Sequence, residues 1–256
     1  MVNAKRITSI DVYETKEYDA LRPLPGQPIN RAAKNASKLA KELVETGGNV
    51  IPVLVTERFE VIDGNTRVEA CRLKGLPVRF QIIPANNEFA LEMMRMMNAA
   101  TTPWTINNFI GFYASAYNIL AYKDLESFME IHKISIGTLQ ELDQNISKEI
   151  IQNGRFTGTD WDTLEERVEH VKSMREALGQ YMKSELHIAR GIMKMIRYGF
   201  DNWDELYDKV KRYISREMRS AMMNRIDGSE AMLAIIQKCY NRRRQPKVRI
   251  YDDLST

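Results

Sequence analysis

Residues 60–67 read Glu60-Val-Ile-Asp63-Gly64-Asn65-Thr66-Arg67, and a run with helical character, Val68-Glu-Ala-Cys-Arg-Leu-Lys-Gly75, follows at once. The β-branched segment ending at Ile62 predicts a strand, Asp63-Gly64 a sharp turn, and about Thr66 the start of a helix. Glycine lets the backbone of such a turn approach a ligand closely. The helix start presents unpaired N–H groups and the positive end of a dipole, which together favour an anion. Arg67 adds a permanent charge with a planar donor fork. By spacing alone, the same residues also suit an ordinary strand–turn–helix connection with a solvated arginine.

The pattern extends on both sides. Leu39 to Thr46 reads as helix, Gly47-Gly48 as its stop, and Val50-Ile-Pro-Val-Leu-Val55 as a buried strand. After the motif come a helix to about Leu73 and a last strand, Val78 to Ile83. This order of parts resembles the N-terminal domain of the ParB family, whose fold is shared with sulfiredoxin. It is most similar to a phage and mobile-element branch with an Asp-Gly-Gln-His-Arg motif, here Asp63-Gly64-Asn65-Thr66-Arg67. The segment Pro25-Gly-Gln-Pro-Ile-Asn-Arg31 also resembles that branch. The fold expected is α+β: a small mixed-sheet domain over residues 1–86, then a mainly helical domain over 87–256 with a basic tail.

The resemblance implies binding of a nucleotide, CTP or ATP with Mg²⁺, hard oxygen ligands suiting that ion. By the motif, Asp63, Gly64, Asn65, Thr66 and Arg67 would surround phosphate oxygens, with Glu69 and Arg31 beside them. Glu45, before the glycine pair, would be the catalytic carboxylate, as base or metal ligand, if turnover occurs. Thr66 stands where the branch has histidine, and no cysteine lies in the turn, so sulfiredoxin-type redox chemistry is not expected. The resemblance also implies DNA as a partner and a homodimer.

Composition sets wider bounds. The chain has 256 residues, 44% hydrophobic and 28% charged, with a net charge of +3. No stretch approaches the roughly 18 apolar residues of a membrane span, and no apolar signal core follows the N-terminus, so a cytoplasmic protein is expected. Cys71 and Cys239 lack metal-ligand spacing, and His132, His170 and His187 are scattered. Charge is concentrated in places. Residues 183–225 are basic on balance, and Asn241 to Arg249 carries Arg242, Arg243, Arg244, Lys247 and Arg249 with no acid. Such clusters attract phosphates by counterion release.

From residue 88 onward the periodicity is helical. Phe89, Met93, Met96 and Met97 share one stripe and are expected to fill core, and Thr105 is a helix cap for Ile106 onward. Residues 122–144 are a candidate helix-turn-helix, breaking at Ile134-Ser135, with Ser135, Thr138 and Gln140 facing outward to DNA. A plain helical hairpin fits the same residues. Two other functions remain open on this reading: a nucleotide-dependent phosphotransferase or hydrolase, and a non-catalytic protein-interaction module.

Overall fold

The computed structural model describes residues 11–27, 29–101, 104–243 and 247–251. The chain divides into two compact units, Met1–Lys123 and Asp124–Thr256.

The first unit is built on a five-stranded mixed sheet. Its strands are β1 (Tyr13–Thr15), β2 (Arg22–Pro23), β3 (Val53–Val55), β4 (Glu60–Asp63) and β5 (Val78–Ile82). Their spatial order is β1-β5-β3-β4-β2. β3, rich in β-branched residues and buried at Val53 and Val55, takes the centre, parallel to β5 and antiparallel to β4. Pro23 lies on edge strand β2, where a missing N–H is tolerated. The hairpin between β3 and β4 closes at Phe59, left-handed at φ 60°.

Helices α1 (Ile29–Thr46) and α2 (Asn65–Lys74) pack on each other. Ala36, Ala40 and Leu43 of α1 and Val68, Ala70 and Cys71 of α2 bury against Val53, Val55, Val61, Val78 and Phe80 of the sheet. Gly75, in left-handed conformation, ends α2 and turns the chain into β5. Buried Asn49 ties the α1–β3 connection to β5. Its Nδ2 donates to the Ile51 and Arg79 carbonyls at 2.9 and 2.7 Å, and its Oδ1 accepts from Arg79 N at 2.8 Å.

α3 (Asn87–Thr101) and α4 (Ile106–Ser115) complete the first unit, so α3, beyond the expected boundary near residue 86, groups with the sheet and lies against β4. The expected Thr105 cap is present, with a reciprocal bond to Asn108. The α3 stripe is corrected. Ala90, Leu91 and Met94 are buried, whereas Phe89 is 55% and Met96 60% exposed.

The second unit is helical. The division falls within α5 (Leu120–His132), and α6 (Ile136–Leu142), α7 (Lys148–Gln152), α8 (Trp161–Leu178), α9 (Glu185–Arg197), α10 (Trp203–Ser220) and α11 (Ser229–Tyr240) follow. α10 packs on α8 and α11, and α9 on α6, α8 and α11. No helix among the described residues is long and apolar enough to cross a membrane.

His170 of α8 stacks on Trp203 and lies 2.8 Å from the Tyr207 hydroxyl through Nδ1. Burial holds its pKa below the ordinary 6.5, against Glu166 and Asp204, which raise it. A depressed folded value favours neutral imidazole, so this stabilisation is complete above the unfolded pKa and is lost as pH falls through the folded one. Melting should drop between about pH 7.5 and about pH 5 in the wild type, and the drop should be smaller in His170→Phe. Equal drops would assign the pH dependence to other groups.

Candidate phosphate-binding turn

Asp63 closes β4, Gly64 makes the turn at φ 111°, and Asn65 opens α2 one residue before the expected position. The Gly64 carbonyl accepts from Arg67 N at 2.8 Å and from Val68 N at 3.0 Å, which fixes the first helical turn. The Arg67 N–H is therefore committed inside the helix. Among the described residues no side chain caps α2, and its first turn holds no acid. Among the described residues the N–H groups of Asn65 and Thr66 meet no acceptor. These two amides, on residues that are themselves half-buried, are the backbone donors the turn can offer.

The guanidinium of Arg67 folds back over Gly64. A Cβ on Gly64 would lie 2.9 Å from Arg67 Nε and Nη2, and 3.0 Å from a methyl of Val53. Glycine is thus required twice, for its backbone angle and for the space the arginine fills. Arg67 Nη2 sits 2.6 Å from Asp63 Oδ2, while Nε is buried with no hydrogen-bond partner. One donor of the fork is held by a carboxylate and one is unused.

Gln27, within the Pro25–Arg31 segment, braces the turn. Its Nε2 donates to the Val61 and Ile62 carbonyls at 2.8 and 3.0 Å, and its Oε1 accepts from Asn65 Nδ2. It locks the Pro25–Gln27 loop to β4 and to the start of α2. Gly26 seats the same loop on α4, since a Cβ there would lie 3.0 Å from Phe112. Asn65 is accordingly a positioning residue whose amide group is already engaged. The signal was its place beside the Asn-Arg segment, but nothing in the spacing showed which strand it would meet.

The remaining expected residues separate. The side chain of Arg31 lies outside the described residues. Glu69 points along α2 to Arg72 at 3.4 Å, and Arg72 bonds Asp19 at 2.7 Å, away from the turn. Glu45 is corrected. It is exposed near the far end of α1, three residues before Gly48, where a Cβ would lie 3.0 Å from the carbonyl of Pro77, beyond the C-terminus of α2. Gln27, just before α1, touches the turn. The helix rise therefore puts Glu45 roughly 20 Å or more from the motif. Cys71 faces inward beside Asn49, and burial pushes its thiol pKa up, which suits a core residue and not a redox centre.

The candidate helix-turn-helix forms as two helices joined through Lys133, left-handed at φ 52°, but its second helix is not presented as expected. Ser135 is exposed and caps α6 by accepting from Thr138 N at 3.2 Å. Thr138 is 1% exposed, so it faces the core and not solvent. Gln140 is half-buried, and its Nε2 is sequestered. Glu141 is bound to Arg190 of α9 at 2.7 Å. The cover that α9 gives α6 is the physical reason for the difference.

The basic tail is also less free than expected. Arg242 pairs with buried Glu217 and lies 5.5 Å over the Tyr213 ring. Val248 exchanges hydrogen bonds with Asn241, and Ile250 is fully buried, so 247–250 is strapped along α11. Arg243, Lys247 and Arg249 are exposed, and Arg244 lies outside the described residues.

No family model matches the sequence, and none of the curated proteins does. The chain is similar to two solved structures described as pNOB8-like ParB N-domains, at 15% and 14% identity. The first likeness covers 89% of this chain and 98% of that one; the second covers 96% and 100%. The TM-score is 0.37 in both.

Proposed function

We propose that the chain is a ParB-like DNA-binding protein whose first unit takes a phosphate group, carried by a nucleoside triphosphate, at the turn between β4 and α2. The observation that supports this reading is the uncapped start of α2, with two free amides beneath an arginine that has an unused donor. Such a start attracts an anion through its N–H groups and dipole, and a guanidinium adds a charge-assisted bond. The exposed basic residues of the second unit support DNA as the macromolecular partner.

The residues fit a phosphate oxygen group with one condition. Asp63, the acid of the turn, holds Arg67 and must yield it. A magnesium ion brought by a triphosphate needs only one or two carboxylates, and Asp63 would be the one at hand. Catalysis through Glu45 is not proposed, because that carboxylate is at the other end of α1.

Calorimetric titration with ATP, CTP, GTP and UTP tests the reading. Heat is expected with at least one, lost in Arg67→Ala. Titrated without magnesium, Asp63→Asn lacks the repelling carboxylate and releases Arg67, so affinity should rise, by up to about five-fold; with magnesium the rise should disappear, because the carboxylate that would hold the ion is gone. No heat from any triphosphate with folded protein, or undiminished heat in Arg67→Ala, would remove the site.

A further inference from the structure

α10 buries Leu206, Val210, Ile214 and Met218 against its neighbours. On the opposite face, at positions i, i+4 and i+7, stand Arg212, Arg216 and Arg219, all exposed. Arg212 bonds Asp208 at 2.8 Å. Among the described residues no carboxylate lies within ion-pair distance of Arg216 or Arg219. Elsewhere on this unit several cations are matched, as Arg190 is by Glu141 and Lys211 by Glu176. Arg216 and Arg219 thus put two unmatched cations beside Arg212 on one helix face, whereas the other exposed cations of this unit without an ion pair among the described residues, such as Lys148, Arg155 and Arg197, lie on other elements.

Both flanks extend it. On one side the Tyr181 hydroxyl donates to Ser215 Oγ at 3.1 Å, which brings exposed Lys183 alongside. On the other, Arg242 over Tyr213 sets exposed Arg243 beside the helix. A helix dipole favours a cation in the last turn, which accounts for Arg219. It does not account for Arg216 a turn earlier, nor for Lys183 and Arg243. Residues four apart rise about 6 Å along a helix, close to two steps of the roughly 3.4 Å charge repeat along one DNA strand.

We propose that the outer face of α10, flanked by Lys183 and Arg243, is the surface that meets the phosphate backbone of duplex DNA. It takes the place of α6, whose Thr138 is buried. The inference rests on the DNA-binding reading above and assigns it a surface. Phosphate contacts of this kind give affinity and register without reading sequence.

The test is fluorescence anisotropy of a labelled mixed-sequence duplex of about 30 base pairs across a salt series, with the full chain. The triple variant Lys183→Ala/Arg216→Ala/Arg219→Ala changes exposed positions and should keep the wild-type melting temperature. Its slope of log affinity against log salt should flatten by about 2.7, with at least about ten-fold weaker binding at 0.1 M salt. Arg216→Lys/Arg219→Lys should keep the wild-type slope, since charge and not shape is required. If wild type binds and the triple variant matches it in slope and affinity, the α10 surface is overturned while the DNA reading stands. If wild type shows no affinity even at low salt, the DNA reading itself falls, and this surface with it.

Discussion

Gly64→Val is expected to lower stability by about 2–6 kcal/mol and to abolish anion binding at the turn. Two independent costs add. At φ 111° an L side chain is strained, worth about 1–3 kcal/mol for a forced unfavourable backbone. The new Cβ also meets Arg67 Nε and Nη2 at 2.9 Å and Val53 at 3.0 Å. Val53 is fully buried at the sheet centre and cannot move aside, so overpacking adds about 1–3 kcal/mol. The arginine end can swing away, but only by leaving Asp63 and the start of α2. Gly64→Ala should show the same loss at smaller size. Chemical denaturation measures it. A valine variant as stable as wild type would mean that the turn does not need glycine.

The second large effect lies in the other unit. Arg242→Ala is expected to cost about 3–5 kcal/mol, because it strands a buried charge. Glu217 is 9% exposed and has Arg242 as its ion-pair partner. Its charge, after burial itself, helps push the Cys239 thiol up to about 12. Arg242 also lies over Tyr213, next to Asn241, which accepts from the Val248 N–H. Adding Glu217→Gln to Arg242→Ala should recover much of the loss, since an amide carries no uncompensated charge. A thermal-melt double-mutant cycle reads this. No recovery would place the cost in lost packing.

Local chemistry was legible in the residues. The strand, glycine turn and helix around Asp63–Arg67, the Thr105 cap and the break at Ile134-Ser135 all follow from short-range preferences, and all are present. What could not be read was the partner of each face. Phe89, Met93 and Met96 and the set Ala90, Leu91 and Met94 both satisfy helical spacing, and the position of α3 against β4 decides between them. Thr138 and Arg242 carry residue types that suit DNA, yet α9 covers the helix of one and Glu217 holds the other. Glu45 adjoins a glycine pair in sequence, but the course of α1 carries it away from the turn. At the candidate site the motif was legible, and the bracing by Gln27 was not. A loop residue bonding two strand carbonyls leaves no periodic trace.

The central claim is that the start of α2 takes a phosphate group. Backbone amide resonances of ¹⁵N-labelled protein, followed during titration with the triphosphate that gives calorimetric heat, or with CTP if none does, test it most directly. The account predicts the largest shifts at the Asn65 and Thr66 amides and the Arg67 side-chain Nε–H, absent in Arg67→Ala. Shifts confined to other residues, or none at saturating nucleotide, would contradict it.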